Sequence, residues 1–255
     1  MTGVESLRAL NRRQERDQVY RFVRPLLSRA KRILEVGCGQ GDLARQLSSD
    51  GFQVTGLDRE ILADSRVGEV RWVEADLFDF SAERMFDAIV VVATLHHLDP
   101  LGDALSHLRS LLAEGGLLII DDFDLEAPDE STCRWYYDAQ QRLEAAGLYS
   151  GDRIKTDRDL PPLTRWRLDH QHEHKLHSGA VMKAALAEQL DLCRVERGPY
   201  LYRYVCAGLP EDEIGARAAE EIFKRENNAV AEGELLPVWL RFVAQHARHT
   251  LRHGA

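Results

Sequence analysis

A run of glycines between a strand pattern and a helix pattern restricts the fold of this chain more than any other feature. Residues 32–36 (RILEV) favour a buried strand, Gly37, Gly39 and Gly41 follow at alternate positions, and residues 42–50 favour a helix. Glycine permits a tight turn and lets a ligand approach the backbone, because it has no Cβ. The run therefore predicts an α/β sheet that binds a ligand at the carboxyl ends of its strands.

The alternation of strand and helix continues along the first half of the chain. Residues 88–93 form an apolar run that is typical of parallel strands covered on both faces. Such alternation implies right-handed crossovers in an open sheet. We predict strands at 53–57, 70–74, 86–92 and 117–120, and helices over 5–30 and 101–113.

The second half of the chain is less regular, and residues 124–164 favour helical pieces with a loop. The turn at Gly198-Pro199 is too short for a crossover, so the strands on either side of it are predicted to be antiparallel. In chain order we predict a helix over 179–190, strands at 192–196 and 201–207, and helices over 211–227 and 234–252. The expected organisation is an N-terminal helical cap over 1–30, a core domain over 31–209 with an insertion at about 124–165, and C-terminal helices over 210–255.

Composition argues against several classes of protein. The chain has 255 residues, with 33 lysines and arginines against 42 acidic residues and a formal net charge of −9. An acidic chain is a poor general candidate for binding nucleic acid, which depends on cationic side chains. No stretch approaches the roughly 18 apolar residues of a membrane span, and residues 1–16 lack the apolar core of a signal peptide. The four cysteines lack paired spacing, which favours a reducing, cytoplasmic location.

The spacing of the loop separates possible ligands. A dinucleotide fingerprint would place a third glycine at position 42, but Asp42 stands there. A carboxylate at the start of the helix would repel a pyrophosphate that the helix N-terminus attracts. No GK[ST] sequence follows, which argues against a nucleoside triphosphate. A ligand with an amino group and a sulfonium fits the acidic setting of Glu35 and Asp42 better.

Two further acids end consecutive predicted strands. Asp58 ends the second strand, where a carboxylate can accept hydrogen bonds from both hydroxyls of a ribose. Asp76 ends the third strand, where it can hold an adenine amino group while Leu77 covers the ring. Either acid alone is equally well explained as a helix cap or a solvated turn residue. Together with the glycine loop, the two acids favour a single nucleoside-binding site.

These segments resemble the serial motifs of class I S-adenosylmethionine-dependent methyltransferases. The matching segments are residues 33–41 (ILEVGCGQG), 56–58 (GLD), 74–76 (EAD), 86–90 (FDAIV) and 111–118 (LLAEGGLL). The resemblance is close over residues 31–122 and looser near Val195 and Val205. It implies a Rossmann-like, seven-stranded, mostly parallel sheet with helices on both faces, an antiparallel last strand, a helical lid insertion and C-terminal helices.

The resemblance also implies a set of contacts with S-adenosylmethionine. The residues expected to border or bind its methionine part are Glu35, Gly37, Cys38, Gly39 and Ala93. Asp58 is expected to bind the ribose, and Arg59, Asp76 and Leu77 are expected to surround the adenine. Motifs of this kind are specific for the cofactor and the fold, but they say little about the methyl acceptor.

His96 and His97 follow the fourth predicted strand, beside the reactive methyl in this fold. A histidine there can deprotonate a hydroxyl or an amine, so both are candidate catalytic residues. A His-His pair recurs at this point of the family whatever the substrate, which favours packing or loop fixing as the alternative. Carboxylates at Asp99, Asp121 and Asp122 and the histidines at 170, 172, 174 and 177 are better explained as caps and solvated residues than as metal ligands, so no resident metal is expected.

The aromatic residues of the insertion, Trp135, Tyr136 and Tyr137 with Trp166, can form a wall for a planar or apolar substrate. Packing within helices is their alternative role. The function expected is methyl transfer to an oxygen or nitrogen of a small-molecule acceptor by in-line displacement, without nucleic acid or membrane partners. Two alternatives stay open at this point: an NAD(P)-dependent Rossmann-type oxidoreductase, and a catalytically silent cofactor-binding scaffold.

Overall fold

The computed structural model describes residues 7–61, 66, 68–148, 157–170 and 176–247. Within these ranges the chain forms a seven-stranded sheet of order β3-β2-β1-β4-β5-β7-β6. Its strands are β1 (Arg32–Val36), β2 (Gln53–Asp58), β3 (Arg71–Glu74), β4 (Phe86–Val92), β5 (Leu112–Phe123), β6 (Asp191–Gly198) and β7 (Trp239–Gln245).

The first five strands are parallel, and β7 runs against them. Ile33 of β1 lies opposite Val54 of β2 on one side and Ala88 of β4 on the other, in parallel register. The amide of Gly115 donates to the carbonyl of His246 at 3.0 Å, and the amide of Asp124 donates to that of Val238 at 2.9 Å, which is antiparallel pairing. The predicted fold class, a Rossmann-like and mostly parallel sheet with an antiparallel last strand, is confirmed.

Helices connect and cover the strands. They are α1 (Leu7–Leu26), α2 (Asp42–Ser49), α3 (Leu101–Leu111), α4 (Glu130–Ala145), α5 (Pro162–His170), α6 (Gly179–Gln189), α7 (Leu201–Cys206) and α8 (Glu213–Ala231). Short 3-10 turns follow β3 and β4 at Leu77–Asp79 and Leu95–His97. The glycine loop joins β1 to α2, as predicted.

The described chain packs as two compact units. The sheet unit comprises the described residues within 16–122, 177–196 and 241–247, with a core that includes Val23, Ile33 and Leu47. The insertion unit is built mainly from residues 123–148, 157–170, 176 and 197–240. Its core residues include Trp166, Tyr202 and Val238. The described residues of the predicted insertion and residues 199–240 therefore belong to one compact unit.

The strand predicted at 201–207 is wrong, because this segment forms α7. The cause is a contact distant in sequence. The buried carboxylate of Glu226 in α8 accepts hydrogen bonds from the amides of Tyr200, Leu201 and Tyr202 at 2.6, 2.7 and 2.6 Å. These are amides that the first turn of a helix leaves without partners, so Glu226 stabilises the start of α7.

The helix predicted over 234–252 is also wrong, because this segment contains β7. Five of its seven residues are buried, namely Trp239, Leu240, Phe242, Val243 and Ala244. A strand covered on both faces lacks the alternation by which a half-buried strand is recognised. The antiparallel last strand is therefore present, but it is residues 239–245 that form it.

Replacing Glu226 should destabilise the protein, because three buried amides would lose their acceptor. We expect Glu226→Ala to lower the free energy of unfolding by about 3 kcal/mol or more, and Glu226→Gln by less, because the amide keeps one oxygen. Chemical denaturation measures both. The matched control is Glu221→Gln on the exposed face of α8, where loss of the ion pair with Arg225 should cost less than about 1 kcal/mol. Equal effects at positions 226 and 221 would contradict the role of Glu226.

Candidate active site

The glycine loop packs directly on the segment that follows β4. Gly37 has a φ of 71°, in the left-handed region, and its amide donates to the carbonyl of Leu57 at 2.9 Å. A Cβ at Gly37 would lie 2.0 Å from Oγ1 of Thr94. Only glycine fits this position, because both the backbone conformation and the neighbouring threonine exclude a side chain. The loop and the post-β4 segment are thereby held together at the carboxyl edge of the sheet.

Trp72 of β3, which no motif in the sequence marks, lies against two glycines of this region. A Cβ at Gly41 would lie 2.2 Å from Cη2 of Trp72, and one at Gly56 would lie 2.8 Å from its Cζ3. The indole Nε1 of Trp72 is buried and has no hydrogen-bond partner among the described residues. The signal in the sequence is Gly56 itself, since glycine inside a strand often marks a close approach by another group.

Glu35, near the end of β1, is a buried carboxylate with one oxygen unused. The residue is 3% exposed, and its Oε2 has no hydrogen-bond partner among the described residues. Burial raises the pKa of Glu35 to about 8, against the opposing effect of a hydrogen bond from the Ala44 amide of α2. A buried acceptor without a partner is costly, so this oxygen suits a ligand that donates a hydrogen bond.

Asp58, at the end of β2, is bound to the glycine loop. Its Oδ2 accepts the amide of Gly39 at 2.7 Å, and its Oδ1 accepts the amide of Glu60 at 3.3 Å. A carboxylate oxygen has two lone pairs, so these contacts leave capacity for the hydroxyls of a ligand. The structure thus brings Asp58 and the loop together, as the sequence predicts.

Asp76 caps the 3-10 turn after β3 and pairs with Arg59. Its Oδ1 accepts the amide of Phe78 at 2.9 Å, and its Oδ2 lies 2.6 Å from Nη2 of Arg59. The Phe78 amide and the Arg59 guanidinium lower the pKa of Asp76, against the opposing effect of burial. Leu77 is buried beside it. Asp76 therefore acts as a cap, which is the alternative role considered for it. Its other carboxylate oxygen holds the guanidinium of Arg59 beside it.

Ala93, directly after β4, has a strained backbone. Its φ of 44° lies in the left-handed region, which is uncommon for a residue other than glycine. Its amide donates to the carbonyl of Asp121 at 2.8 Å, so β5 holds it in this conformation. Strain of this kind is concentrated at functional sites, where the surrounding structure enforces it.

The two histidines after β4 have different surroundings. His96 is 2% exposed, and its Nδ1 lies 2.6 Å from Oδ1 of the buried Asp122. His97 is exposed, and its ring centroid is 4.0 Å from that of His96. Of the two imidazoles, only the His97 ring is presented at the surface of the sheet unit.

Of the three carboxylates considered as metal ligands, Asp121 and Asp122 are engaged with protein groups, and Asp99 is largely exposed, 3.8 Å from Nε2 of His177. Asp121 lies 2.8 Å from Nε of Arg241, and Asp122 pairs with His96. Of the histidines near 174, His170 contacts the Trp166 carbonyl at 2.8 Å, while 172 and 174 lie outside the described residues. Among the residues that the structure describes, no group of three His, Cys, Asp or Glu side chains could hold a metal ion.

The aromatic residues predicted to contact the substrate lie in α4 of the insertion unit. Tyr136 and Tyr137 are buried in its core, where the Tyr137 hydroxyl donates to Oδ2 of Asp169 at 2.6 Å. Burial and this hydrogen bond raise the pKa of Tyr137 far above its usual value. Trp135 is half-buried and lines a cavity of about 250 Å³ together with Leu143 of α4 and Ile222 of α8. The two tyrosines thus pack in the core of the insertion unit, whereas Trp135 lines this cavity.

Comparison with known proteins agrees with this geometry. Residues 8–177 match the family described as a methyltransferase domain, and the chain belongs to that family. An uncharacterized methyltransferase of Mycobacterium tuberculosis is 36% identical over 171 residues, which cover 64% of this chain and 83% of the relative. In the described part of the chain, no helix has the length and apolar character needed to cross a bilayer.

Solved structures share the fold at low sequence identity. The S-adenosylmethionine dependent methyltransferase from Mesorhizobium loti has a TM-score of 0.54 at 17% identity, covering 89% of this chain and 96% of that one. The putative sarcosine dimethylglycine methyltransferase from Galdieria sulphuraria has a TM-score of 0.54 at 15% identity, covering 94% and 87%. With the family match, this fold makes the protein a class I methyltransferase enzyme.

The contact between Gly37 and Thr94 gives a direct test of the loop. We expect Gly37→Ala to weaken binding of S-adenosylhomocysteine by at least about 10-fold, because the methyl group forces Thr94 away and strains the backbone by roughly 1–3 kcal/mol. Isothermal titration calorimetry measures the affinity. Gly51→Ala is the matched control, since Gly51 has a φ of 92° but no neighbouring atom within 4 Å of the point that a Cβ would occupy. Unchanged affinity in Gly37→Ala would contradict the role of this contact.

Proposed function

We propose that the enzyme transfers the methyl group of S-adenosylmethionine to an oxygen or nitrogen of a small-molecule acceptor. The observation that carries the cofactor part is the unpartnered Oε2 of Glu35 among the described residues, buried beside a loop in which Gly37 has no room for a side chain. When bound, the cofactor supplies an electrophilic methyl group on a sulfonium and carries an ammonium that can donate hydrogen bonds. A buried, unused acceptor that feels the nearby carboxylates of Asp42 and Asp58 suits both positive charges.

The residues that we propose for the methionine part of the cofactor are Glu35, Gly37, Cys38, Gly39 and Ala93. Glu35 accepts a hydrogen bond from the ammonium. The strained backbone of Ala93 borders the methionine part at the end of β4. Burial raises the pKa of the Cys38 thiol to about 12, so this side chain stays neutral and contributes packing rather than charge.

For the nucleoside we propose Asp58 at the ribose and Asp76, Arg59 and Leu77 at the adenine. Asp58 is already held by the Gly39 amide, so it needs little reorganisation to accept ribose hydroxyls. Arg59 is largely exposed while its guanidinium is fixed by Asp76, which suits a planar cation that covers a ring. Both carboxylates and the guanidinium therefore have contacts that orient them before the ligand arrives.

Two groups of residues are proposed for the acceptor. His96 and His97 remain the candidate catalytic residues, because an O–H or N–H acceptor must lose its proton in the reaction. Trp135, Tyr136 and Tyr137 stay the proposed substrate contacts; within the insertion unit Trp135 lines a cavity, whereas Tyr136 and Tyr137 pack in the core. An amine acceptor is also consistent with the name of the Galdieria protein, which refers to sarcosine and dimethylglycine.

The alternatives have less support. Asp42 lies at the N-terminus of α2 and pairs with Arg45 at 2.5 Å, so a carboxylate occupies the place where a dinucleotide pyrophosphate would bind. Membership of the methyltransferase family likewise favours methyl transfer over hydride transfer and over a silent scaffold. A cytoplasmic location and the absence of nucleic acid partners stay predictions.

Binding of the cofactor should release a proton from Glu35. With a pKa of about 8, the free carboxyl is mostly protonated at neutral pH, and a bound ammonium favours its ionised form. We therefore expect calorimetry with S-adenosylhomocysteine at about pH 7, in buffers of different ionisation enthalpy, to show release of nearly one proton. The affinity should rise as the pH approaches about 8 and level off above it.

Glu35→Gln should remove both the proton release and this pH dependence, while Glu83→Gln, at an exposed position, should keep them. Proton release that persists in Glu35→Gln would show that another group titrates. Wild-type protein that does not bind S-adenosylhomocysteine at all would overturn the cofactor site itself.

The acceptor class is tested by turnover. We expect the full chain to form S-adenosylhomocysteine from S-adenosylmethionine when it is supplied with panels of small amines, phenols or alcohols, each scored by mass spectrometry of a product heavier by one methyl group. Parallel reactions with RNA and with protein are the comparison. Methyl transfer confined to the macromolecules would contradict a small-molecule acceptor.

A further inference from the structure

The segment after β4 is clamped by two residues that no sequence motif connects with the reaction. They are Asp122, in β5, and His177, which lies just before α6. Four of their hydrogen bonds go to His96 and Leu98, on either side of His97. The contacts lie entirely within the sheet unit.

Asp122 uses both carboxylate oxygens on a single residue. Its Oδ2 accepts the backbone amide of His96 at 3.2 Å, and its Oδ1 accepts from the ring Nδ1 at 2.6 Å. An ionised carboxylate can only accept, so the proton of the neutral His96 ring is on Nδ1. Asp122 is 1% exposed, and a charge-assisted hydrogen bond in such surroundings holds its partner tightly.

His177 holds the same segment from the other direction. Its backbone amide donates to the carbonyl of His96 at 3.0 Å, and its ring Nε2 donates to the carbonyl of Leu98 at 3.0 Å. The same nitrogen lies 3.8 Å from Oδ1 of Asp99. The backbone on both sides of His97 is therefore tied to groups from two other elements.

This arrangement divides the two histidines by role. The ring and backbone of His96 are committed to the clamp, and the residue is buried. His97 is exposed and is held between the clamped residues. Resting on the proposed function, we propose that His97 accepts the proton of the methyl acceptor, and that Asp122 and His177 are positioning residues that hold it in place.

The chemistry required of His97 is a single proton transfer. The lone pair of the acceptor oxygen or nitrogen forms the bond to the methyl carbon, and the electron pair of the breaking carbon–sulfur bond remains on sulfur. The acceptor's proton passes to an imidazole nitrogen of His97 and from there to water. Precise placement of such a base contributes roughly 10²–10⁴ to the rate, which is the effect that the clamp preserves.

Two substitutions at position 122 separate the clamp from the charge. In Asp122→Asn the amide oxygen accepts the His96 backbone amide and the amide nitrogen donates to Nδ1, so the segment stays in place while the ring proton moves to Nε2. Asp122→Ala removes both contacts. With an acceptor from the turnover panels, we expect kcat to stay within about 3-fold for Asn and to fall at least about 30-fold for Ala, with KM for S-adenosylmethionine nearly unchanged in both.

The same comparison applies at His177 and His97. His177→Gln keeps a donor for the Leu98 carbonyl and should retain activity, whereas His177→Phe keeps an aromatic ring but loses the donor and should lower kcat.

His97→Gln should lower kcat by about 100-fold and remove the acidic limb of the kcat–pH profile. Asp124→Asn is the control for loss of a buried charge, because Asp124 is 5% exposed and pairs with Arg197, and the variant should leave kcat within about 3-fold.

Several outcomes would overturn the proposal. A fall in Asp122→Asn as large as in Asp122→Ala would show that the protonation of His96 matters and would make His96 the base. Full activity in Asp122→Ala would show that the Asp122 contacts are not needed for the reaction. Full activity in His97→Gln would show that His97 is not the base. Where Asp122→Ala does not fold, the Asn variant and the His177 pair decide the question.

Nitrogen NMR of the imidazoles tests the clamp without turnover. The wild-type His96 ring should carry its proton on Nδ1, and the Asp122→Asn ring should carry it on Nε2. A wild-type ring protonated on Nε2 alone would refute the Asp122 contact. Failure of the protein to bind S-adenosylhomocysteine would instead refute the proposed function, so the two failures are distinguishable.

Discussion

The site depends on the close approach of Gly37 to Thr94. Two parallel strands, β1 and β4, bring their carboxyl ends together, and the missing Cβ lets the loop after one strand rest on the segment after the other. Similar close contacts occur where the Trp72 side chain packs against the backbone of Gly41 and Gly56, which leave no room for a Cβ. Since cores are close-packed, a loop fixed at these points has little freedom, and the groups on it are arranged before a ligand binds.

Three carboxylates of the sheet unit are equally buried but differ in what they contact. Asp121 and Asp122 are each buried against a basic side chain or a histidine, so they are satisfied within the protein. Glu35 is equally buried, but one of its oxygens lacks a partner in the described part of the chain. The cost of leaving it so is evident from its pKa, which burial raises to about 8. An unsatisfied acceptor in an otherwise satisfied set supports the proposal that Glu35 binds the ligand's donor.

Local patterns in the sequence predict the fold well where neighbouring residues determine it. The strands β1, β2 and β4 and the turn at Gly37 are recognisable from apolar runs and glycines. The start of α7 depends on Glu226, which is 24 to 26 residues away, and β7 is covered on both faces, so neither has a local signature. For the same reason the sequence points to His96 and His97 but not to the different roles that the distant Asp122 and His177 give them.

The strand that the sequence pattern wrongly predicts as a helix takes part in the site. Arg241 of β7 pairs with Asp121 at 2.8 Å, donates to the carbonyl of Gln18 in α1 at 3.1 Å, and lies 4.4 Å from the centre of the Phe22 ring. The carbonyl of Asp121 holds the strained Ala93. One guanidinium therefore connects α1, the end of β5 and, through the β5 backbone, the segment after β4. The last strand in the chain thus supplies the basic partner of the carboxylate that lies beside the strained turn.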